Sequence, residues 1–394
     1  MSIENQSVLI VGAGIGGLAA AIALAQRGAA VTVLEQAAEI SEVGAGVQIT
    51  PNGGAVLRAF GLADDLAWRS MRSTGVVLRH HAKGREIAHL DFEQYAQDLR
   101  FYFVHRADLI ALLQETAQAL GVRLLLNKHV IGVEADQDPS ISLARGADID
   151  ADIVLGADGL HSQVFKALNE ASDPFFTGQV AWRAIVPNSM GLRSQAQVFM
   201  GPGRHLVAYP LRDGSVVNLV AVMERKAWAE EGWSTGGDAD ELRHAFSMFG
   251  GDVRGLLSSV EDVALWGLFR HEVARHWCKG RVGLLGDAAH PTLPFMAQGA
   301  NLALEDAWEL AQCLDAAVTP EEGLKTYEGL RRPRAERVVA AANGNAWKFH
   351  LKRPFVAPAH FALSCLSKYR PEKLVRQFDW IYRHNEMLSD PRRQ

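Results

Sequence analysis

Cysteine is scarce in this chain: Cys278, Cys313 and Cys365 are odd in number, far apart and never arranged as C-x-x-C. That pattern excludes a disulfide framework, a thiolate metal site and a disulfide reductase needing a redox-active pair. An excess of positive charge is missing too. Forty Lys and Arg against 45 Asp and Glu leave a formal net charge of -5, so neither nucleic acid nor an anionic membrane is favoured as partner, and small molecules are expected instead. The longest nearly uncharged run, Val8 to Ala25, is interrupted by Gly12, Gly14, Gly16 and Gly17, and Glu4 stands where a signal peptide would carry a base. It therefore reads as neither membrane span nor leader, and the expected location is the cytoplasm. No nucleophile elbow, P-loop, internal repeat or low-complexity tract is found, and no His, Cys or carboxylate set has metal-ligand spacing, so no metal is expected.

Apolar residues make up 48% and charged residues 22% of the 394 positions, near globular averages. The length suits two interleaved domains. Ser7 to Val11 reads as a strand, the glycines as a turn, Leu18 to Gln26 as a helix stopped at Gly28, and Val31 to Leu34 as a second strand. This is a βαβ unit with a parallel sheet. A helix over Ala107 to Leu120 and strands near Val122 to Leu126 and Ile153 to Leu155 follow. Between Val180 and Trp266 the pattern alternates with period two, as in Val198 to Met200, Leu206 to Leu211 and Val216 to Val222, with Gly-Pro-Gly and Arg-Asp-Gly-Ser turns. That predicts an antiparallel sheet. Arg281 to Leu285 returns to a buried strand, Ala300 to Leu314 is a helix, and from Leu330 the chain is helical, punctuated by prolines at 333, 354, 358 and 371.

Gly12-x-Gly14-x-x-Gly17 follows a strand and opens a helix, and Glu35 ends the next strand 18 residues after Gly17. In that setting the glycines permit a tight turn, close approach of backbone to a pyrophosphate and close helix packing, while Glu35 would accept bonds from ribose hydroxyls. The motif alone does not separate FAD from NAD. Two more segments, Ala157-Asp158-Gly159 and Gly286-Asp287-Ala288-Ala289-His290-Pro291, each end an apolar strand with a glycine and an aspartate at the sheet's carboxyl edge. Either aspartate could instead cap the helix that follows it.

With these motifs in this order the chain resembles the group A flavoprotein monooxygenases, the para-hydroxybenzoate hydroxylase-like family. It looks most like the branch of salicylate hydroxylase, 3-hydroxybenzoate 6-hydroxylase and 6-hydroxynicotinate 3-monooxygenase, through Glu42-Val-Gly-Ala-Gly-Val-Gln-Ile-Thr-Pro-Asn52, Pro294-Phe-Met-Ala-Gln-Gly-Ala-Asn301 and Trp380-Ile-Tyr382. The resemblance implies an α/β fold: a Rossmann-like FAD-binding domain (1–73, 101–179 and 273–330), an inserted antiparallel β-sheet substrate domain (74–100 and 180–272) and a C-terminal helical segment (331–394). It implies FAD held by Gly12, Gly14, Ile15, Gly16, Gly17, Glu35, Gln36, Val47, Arg106, Val130, Asp158, Gly159, Asp287, Pro294, Gly299, Ala300 and Asn301. Asp287 would meet the ribityl chain, Arg106 would support the ribityl and phosphate part, and Asp158 with Gly159 would serve the pyrophosphate and nicotinamide-donor region.

Only one complete G-x-G-x-x-G exists, so NADH or NADPH is expected to dock transiently. The implied reaction is hydroxylation of a small, salicylate-type aromatic acid by molecular oxygen through a flavin hydroperoxide, and the rival is hydride transfer on the same fold without oxygen insertion. His205 and Tyr209, four residues apart on one strand, face the same side. In the resembling branch such a pair contacts the aromatic substrate; His205 is then the base or hydrogen-bonding activator of a ring hydroxyl, the alternative being a core histidine. Pro294 and the backbone amides of the Gln298 to Asn301 loop would face the flavin, with Gln298 a candidate for orienting substrate. Phe295 replaces a polar ring of the hydroxynicotinate enzymes, which disfavours that substrate. His290 is expected to be structural, and Glu305, Asp306 and the run Arg331-Arg332-Pro-Arg334 to be solvated or capping charges. Whether the chain works as monomer or homodimer is left open.

Overall fold

A computed structural model describes residues 3–40, 46–135, 138–170, 173–226 and 235–384. The opening βαβ unit is present: strand Ser7–Val11, helix Ile15–Ala25 and strand Ala30–Leu34, the two strands parallel and in register from Ser7 with Ala30 to Val11 with Leu34. The helix is buried over nearly its whole length, and its Ala-rich sequence lets it lie close to the sheet and to the Gly299–Ala316 helix. Strands Ile153–Gly156 and Val282–Leu284 extend the parallel sheet on one side and Arg123–Leu125 on the other, so six strands include segments more than a hundred residues apart. Cys278–Lys279 adds a short antiparallel edge. All three cysteines are free thiols.

The second sheet has eight strands in the order Thr235–Gly236, Ala264–Arg270, Phe175–Pro187, Val216–Glu224, Arg204–Leu211, Gln195–Gly201, Gly75–His80 and Glu86–Asp91. It departs from the expected antiparallel pattern at one place: Gln195–Gly201 pairs parallel with Gly75–His80, because the latter arrives from the other end of the sheet. One face of this sheet packs on the short helices Ala239–Ala245 and Asp252–Ser258 through Trp182, Phe246 and Phe249. The other face, carrying His205, Val207 and Tyr209, borders an internal cavity.

The expected boundary at 330 falls inside one continuous helix, Pro320–Phe349, which contains Pro333. That proline does not end the helix; Pro371 instead opens the helix Pro371–Arg376, and Pro354 lies between Pro320–Phe349 and Val356–Tyr369. The run Val8 to Ala25 is resolved as strand, turn and helix, and among the described residues no helix is long and apolar enough to cross a membrane.

Candidate active site

A cavity of about 1040 Å³ lies between the two sheets. That exceeds the roughly 300–1,000 Å³ of an ordinary small-molecule pocket. Gly14, Ile15 and Gly16 from the first turn line one part of it, Val47 and Arg106 a side wall, Gly159 and Asp287 the carboxyl edge of the parallel sheet, and Pro294 to Ala300 the loop above. His205 and Tyr209 line the opposite wall. Segments far apart in sequence thus border one space.

The first turn is built for close approach. Gly12 has φ +100°, and a Cβ there would lie 2.5 Å from the carbonyl oxygen of Ala157; a Cβ on Gly17 would lie 2.0 Å from the carbonyl oxygen of Gly12. A Cβ on Gly14 would meet nothing within 4 Å. The helix that begins here has no side-chain cap, so its first amides are open to a ligand in the cavity. At the other end, Gly299 and Ala300 present the start of a second helix, also without a side-chain cap. Ala297, with φ +54°, strains the loop just before it. Asp287 is enclosed by protein yet its carboxylate is open to the cavity. Burial raises its pKa, against the opposing pull of His290 and Arg106. Two uncapped helix starts, a glycine cradle and a carboxylate beside an arginine form a donor and acceptor set that suits a dinucleotide with a pyrophosphate and polyhydroxyl chain.

Other expected contacts sit outside this space. Glu35 accepts from the amides of Ala13 and Ala37, both at 2.9 Å, so it ties the first turn to the end of the second strand. Gln36 meets His129 at 3.2 Å, next to Val130. None of these three borders the cavity. Asp158 accepts from the amides of Gln163 and Val164 at 2.8 and 3.4 Å, the helix-capping role left open above. Asn301 is buried, receiving the amide of Thr50 and donating to the carbonyl oxygens of Gln48 and Ala297. Gln298 is fully buried and its amide is already engaged: it accepts from Asn52 at 3.0 Å and donates to Thr50 and Met296. Its side chain locks the loop against residues 50–52 and also lines the cavity. The first four residues of the Glu42 to Asn52 motif that the structure would place nearby, 42–45, lie outside the described residues.

Behind the loop the structure corrects the reading of the charges. Glu305 and Asp306 are completely buried, not solvated. Arg334 grips Glu305 with two bonds of 2.6 Å, Arg331 lies 2.7 Å from Glu305 and donates to Asp306 at 2.9 Å, and Asn52 donates to Glu305 at 2.6 Å. Asp306 also receives the amide of Gly286 at 3.0 Å and His290 at 2.5 Å, so His290 has a structural partner as expected. Burial works against the Asp306 carboxylate, but His290 and Arg331 outweigh it and hold its pKa to about 2. Burial likewise pulls His290 down, and Asp306 pulls it above the usual histidine value. The signal in the sequence was an adjacent acidic pair inside the apolar stretch Leu302 to Trp308.

On the far wall, His205 is 1% exposed and packs between Phe295 and Phe349, ring centroids 5.5 and 5.2 Å away. Burial and the neighbouring His350 hold it well below the usual histidine pKa. Burial pushes the phenol of Tyr209 upward, so it stays a hydroxyl donor at neutral pH. Tyr209 sits against Phe103 and fits because Gly46 has no side chain: a Cβ there would lie 2.6 Å from the Tyr209 oxygen. Arg183, not singled out from the sequence, lies with its guanidinium over Trp266 at 4.5 Å and lines the same wall. A lone arginine within the apolar strand stretch Val180 to Val186 was the available clue. Residues of the later helical part of the chain and its turns, Phe349, Phe355 and Leu363 among them, line the cavity from the side. Among the described residues no group of three or more His, Cys, Asp or Glu is placed to hold a metal.

A family model described as an FAD binding domain matches residues 5–342. The chain is 38% identical to 3-amino-4-hydroxybenzoate 2-monooxygenase of Streptomyces cremeus over 87% of its length and 88% of that protein's. It is 31% identical to 3-hydroxybenzoate 6-hydroxylase 1 of Aquipseudomonas alcaligenes over 96% and 98% of the two chains. In fold it is similar to a salicylate hydroxylase substrate complex (TM-score 0.82, 24% identity, 98% and 97% covered) and to Klebsiella pneumoniae HpxO complexed with FAD and uric acid (TM-score 0.84, 24% identity, 94% and 96% covered). The glycine cradle, the carboxylate-edged cavity and these matches agree, and the chain belongs to the FAD-binding family, as one of its group A flavoprotein monooxygenases that hydroxylate aromatic rings.

Proposed function

We propose that this enzyme hydroxylates a small aromatic acid bearing a ring hydroxyl, using FAD, molecular oxygen and a transiently bound NADH or NADPH. The observation that carries this reading is the placement of His205 and Tyr209 on the cavity wall opposite Asp287 and the Gly299 helix start. Three relatives at 38%, 33% and 34% identity are named for 3-amino-4-hydroxybenzoate. Their names move the first choice of ring from the salicylate type to a 4-hydroxybenzoate.

FAD, when bound, supplies the electron transfer from the donor and the activation of oxygen. Gly14, Ile15, Gly16, Arg106, Asp287, Gly299 and Ala300 are the residues that would hold it. The protein's part is to orient the ring and manage its proton. With Nδ1 of His205 engaged by His350 at 2.8 Å, Nε2 is the nitrogen left for a ligand in the cavity. A neutral imidazole there accepts the ring hydroxyl's proton, and the un-ionised Tyr209 donates to the oxygen that remains. The resulting ring is electron-rich and more readily attacked by an electrophile. Arg183 brings positive charge to the same wall for the acid group. Phe295, Phe349 and Leu293 keep water from the reacting end.

Substrate-stimulated oxidation of NADH and NADPH tests the reading, with salicylate, 3- and 4-hydroxybenzoate, 3-amino-4-hydroxybenzoate and 6-hydroxynicotinate as candidates. Product carrying label from oxygen-18 gas is expected, and its absence with continued donor oxidation would leave hydride transfer alone. His205→Ala is expected to lower kcat by about 10²-fold or more, in the range of general acid–base contributions. Unchanged turnover in both His205→Ala and Tyr209→Phe would refute this placement of the site.

A further inference from the structure

A second cavity, of about 410 Å³, lies on the face of the eight-stranded sheet turned away from the catalytic space. The strand register shows why its floor is unusual. Trp182, Ala221, Leu206 and Phe199 stand abreast on four neighbouring strands, and the next two places in that row are Arg79 and Glu86. In the adjacent row Ala184, Leu219 and Ala208 are followed by Gln197, Val77 and His89. Both rows are apolar core under the short helices Ala239–Ala245 and Asp252–Ser258, and both turn polar toward the strand Glu86–Asp91. Burying polar side chains at such places costs free energy unless they are bonded, and folding alone does not call for them.

Bonds hold the floor in one arrangement. Nε of Arg79 donates to Oε1 of Gln197 at 2.5 Å, and Nη1 of Arg79 donates to the carbonyl oxygen of Gly84 at 2.9 Å. These bonds occupy two of the five guanidinium donors and leave the others for a ligand. Gln197 is 7% exposed, and the amide nitrogen of Gln195 lies 3.3 Å from Nε2 of His89. The wall is built as firmly. Asn188 donates to the carbonyl oxygens of Leu192 and Gly214 at 3.2 and 2.8 Å and accepts from the amide of Leu192 at 2.8 Å. Met190 lies against Gly255, where a Cβ would come within 2.8 Å of its sulfur. The loop Met190 to Arg193 is therefore fixed between the sheet and the helix that starts at Asp252.

We propose that this cavity binds a free α-amino acid with an apolar side chain. Its lining carries two guanidinium groups, Arg79 and Arg193, and two carboxyl groups, Glu86 and Asp252. Equal numbers of each sign suit neither a simple anion nor a simple cation, and they match a molecule with one carboxylate and one ammonium. Arg79, held from below, presents donors to the carboxylate, with Arg193 at the rim, while Glu86 and Asp252 accept from the ammonium. Val77, Met190 and Leu192 supply apolar surface for the side chain, and the volume falls within the roughly 300–1,000 Å³ of small-molecule pockets. Successive strand residues point to opposite faces, so Val76, Leu78, Ala196 and Val198 line the catalytic cavity while Val77, Arg79, Gln195 and Gln197 line this one. The two ligands are separated by one sheet and do not compete.

The test uses the FAD-loaded full chain in isothermal titration calorimetry. L-phenylalanine and L-leucine are titrated beside 3-phenylpropionate, which lacks the ammonium, and phenethylamine, which lacks the carboxylate. Both amino acids are expected to bind saturably, and each analogue about tenfold or more weaker than L-phenylalanine. Arg79→Gln should weaken L-phenylalanine by about tenfold or more. Arg193→Ala and Asp252→Asn, at exposed rim positions, should each weaken it about threefold, with Asp252→Asn leaving 3-phenylpropionate unchanged. These two rim variants decide the outcome if Arg79→Gln does not fold, and flavin absorbance confirms that each variant is loaded. Saturating 3-amino-4-hydroxybenzoate should leave the amino-acid Kd unchanged. No heat with either amino acid, analogues as tight as L-phenylalanine, displacement by 3-amino-4-hydroxybenzoate, or wild-type affinity in both rim variants overturns the proposal.

Discussion

At the scale of single residues, the decisive property of His205 is that water hardly reaches it. Its pKa lies well below the usual 6.5, so the hydroxylation rate should show no inflection near 6.5 belonging to this residue. A profile with such a limb that disappears in His205→Ala would contradict the buried, neutral imidazole. Arg183 makes a different kind of contribution. If it holds the acid group, Arg183→Met should raise KM by about 10- to 100-fold with a much smaller change in kcat, from the roughly 1.5–3 kcal/mol of a charged hydrogen bond. Equal KM values for the acid and for its uncharged amide in wild-type enzyme would rule that contact out. The alternation of His205 and Tyr209 along one strand was legible because side chains on strands repeat every two residues. Arg183 and His350 were not, because nothing in local spacing says that a helix end from position 350 returns to the turn at 203.

At the scale of elements, the buried charges between the helices Gly299–Ala316 and Pro320–Phe349 join four segments: the two helices, the Gly286 turn and residues 50–52. Removing one partner leaves others charged, buried and uncompensated, so Asp306→Asn should destabilise the fold by about 3–5 kcal/mol in denaturant unfolding. The pH dependence follows from the direction of each shift. Asp306 is depressed from 3.8 to about 2, so its contribution is present above the unfolded pKa and is lost as pH falls from about 4 toward 2. His290 is raised above 6.5, so its contribution is complete below 6.5 and is lost as pH rises through its folded value. Asp306→Asn should therefore flatten both limbs, and retention of the acid limb in that variant would place its origin elsewhere. The helices themselves were legible from their apolar periodicity. Their mutual burial was not, since an acidic pair and an arginine run look alike whether they face water or each other.

At the scale of the whole molecule, one cavity joins a turn at residue 14, a carboxylate at 287 and a strand at 205–209. Gly14→Ala separates the fold from the ligand. A Cβ there meets no protein atom within 4 Å, so the unfolding midpoint without FAD should stay within a degree or two, while FAD binding weakens because the methyl group enters the cavity. Gly17→Ala should behave oppositely, since its Cβ would lie 2.0 Å from the Gly12 carbonyl oxygen, and should destabilise the protein even without FAD. Thermal unfolding with and without excess FAD reads both; FAD at 100 times its Kd should stabilise the wild type by about 2.7 kcal/mol. An unchanged FAD shift in Gly14→Ala would place the dinucleotide away from the first turn.

The local order of residues by itself determined the βαβ start, the glycine and aspartate turns at strand ends, the alternating strands of the second sheet and the facing of His205 and Tyr209, because each depends on contacts within a few positions. Tertiary structure alone decided that Gln298 and Asn301 hold the loop, that the acidic pair is buried with Arg331 and Arg334, and that His205 is backed by His350. Burial and pairing depend on which distant segments share a space, and that is settled only when the chain has closed on itself.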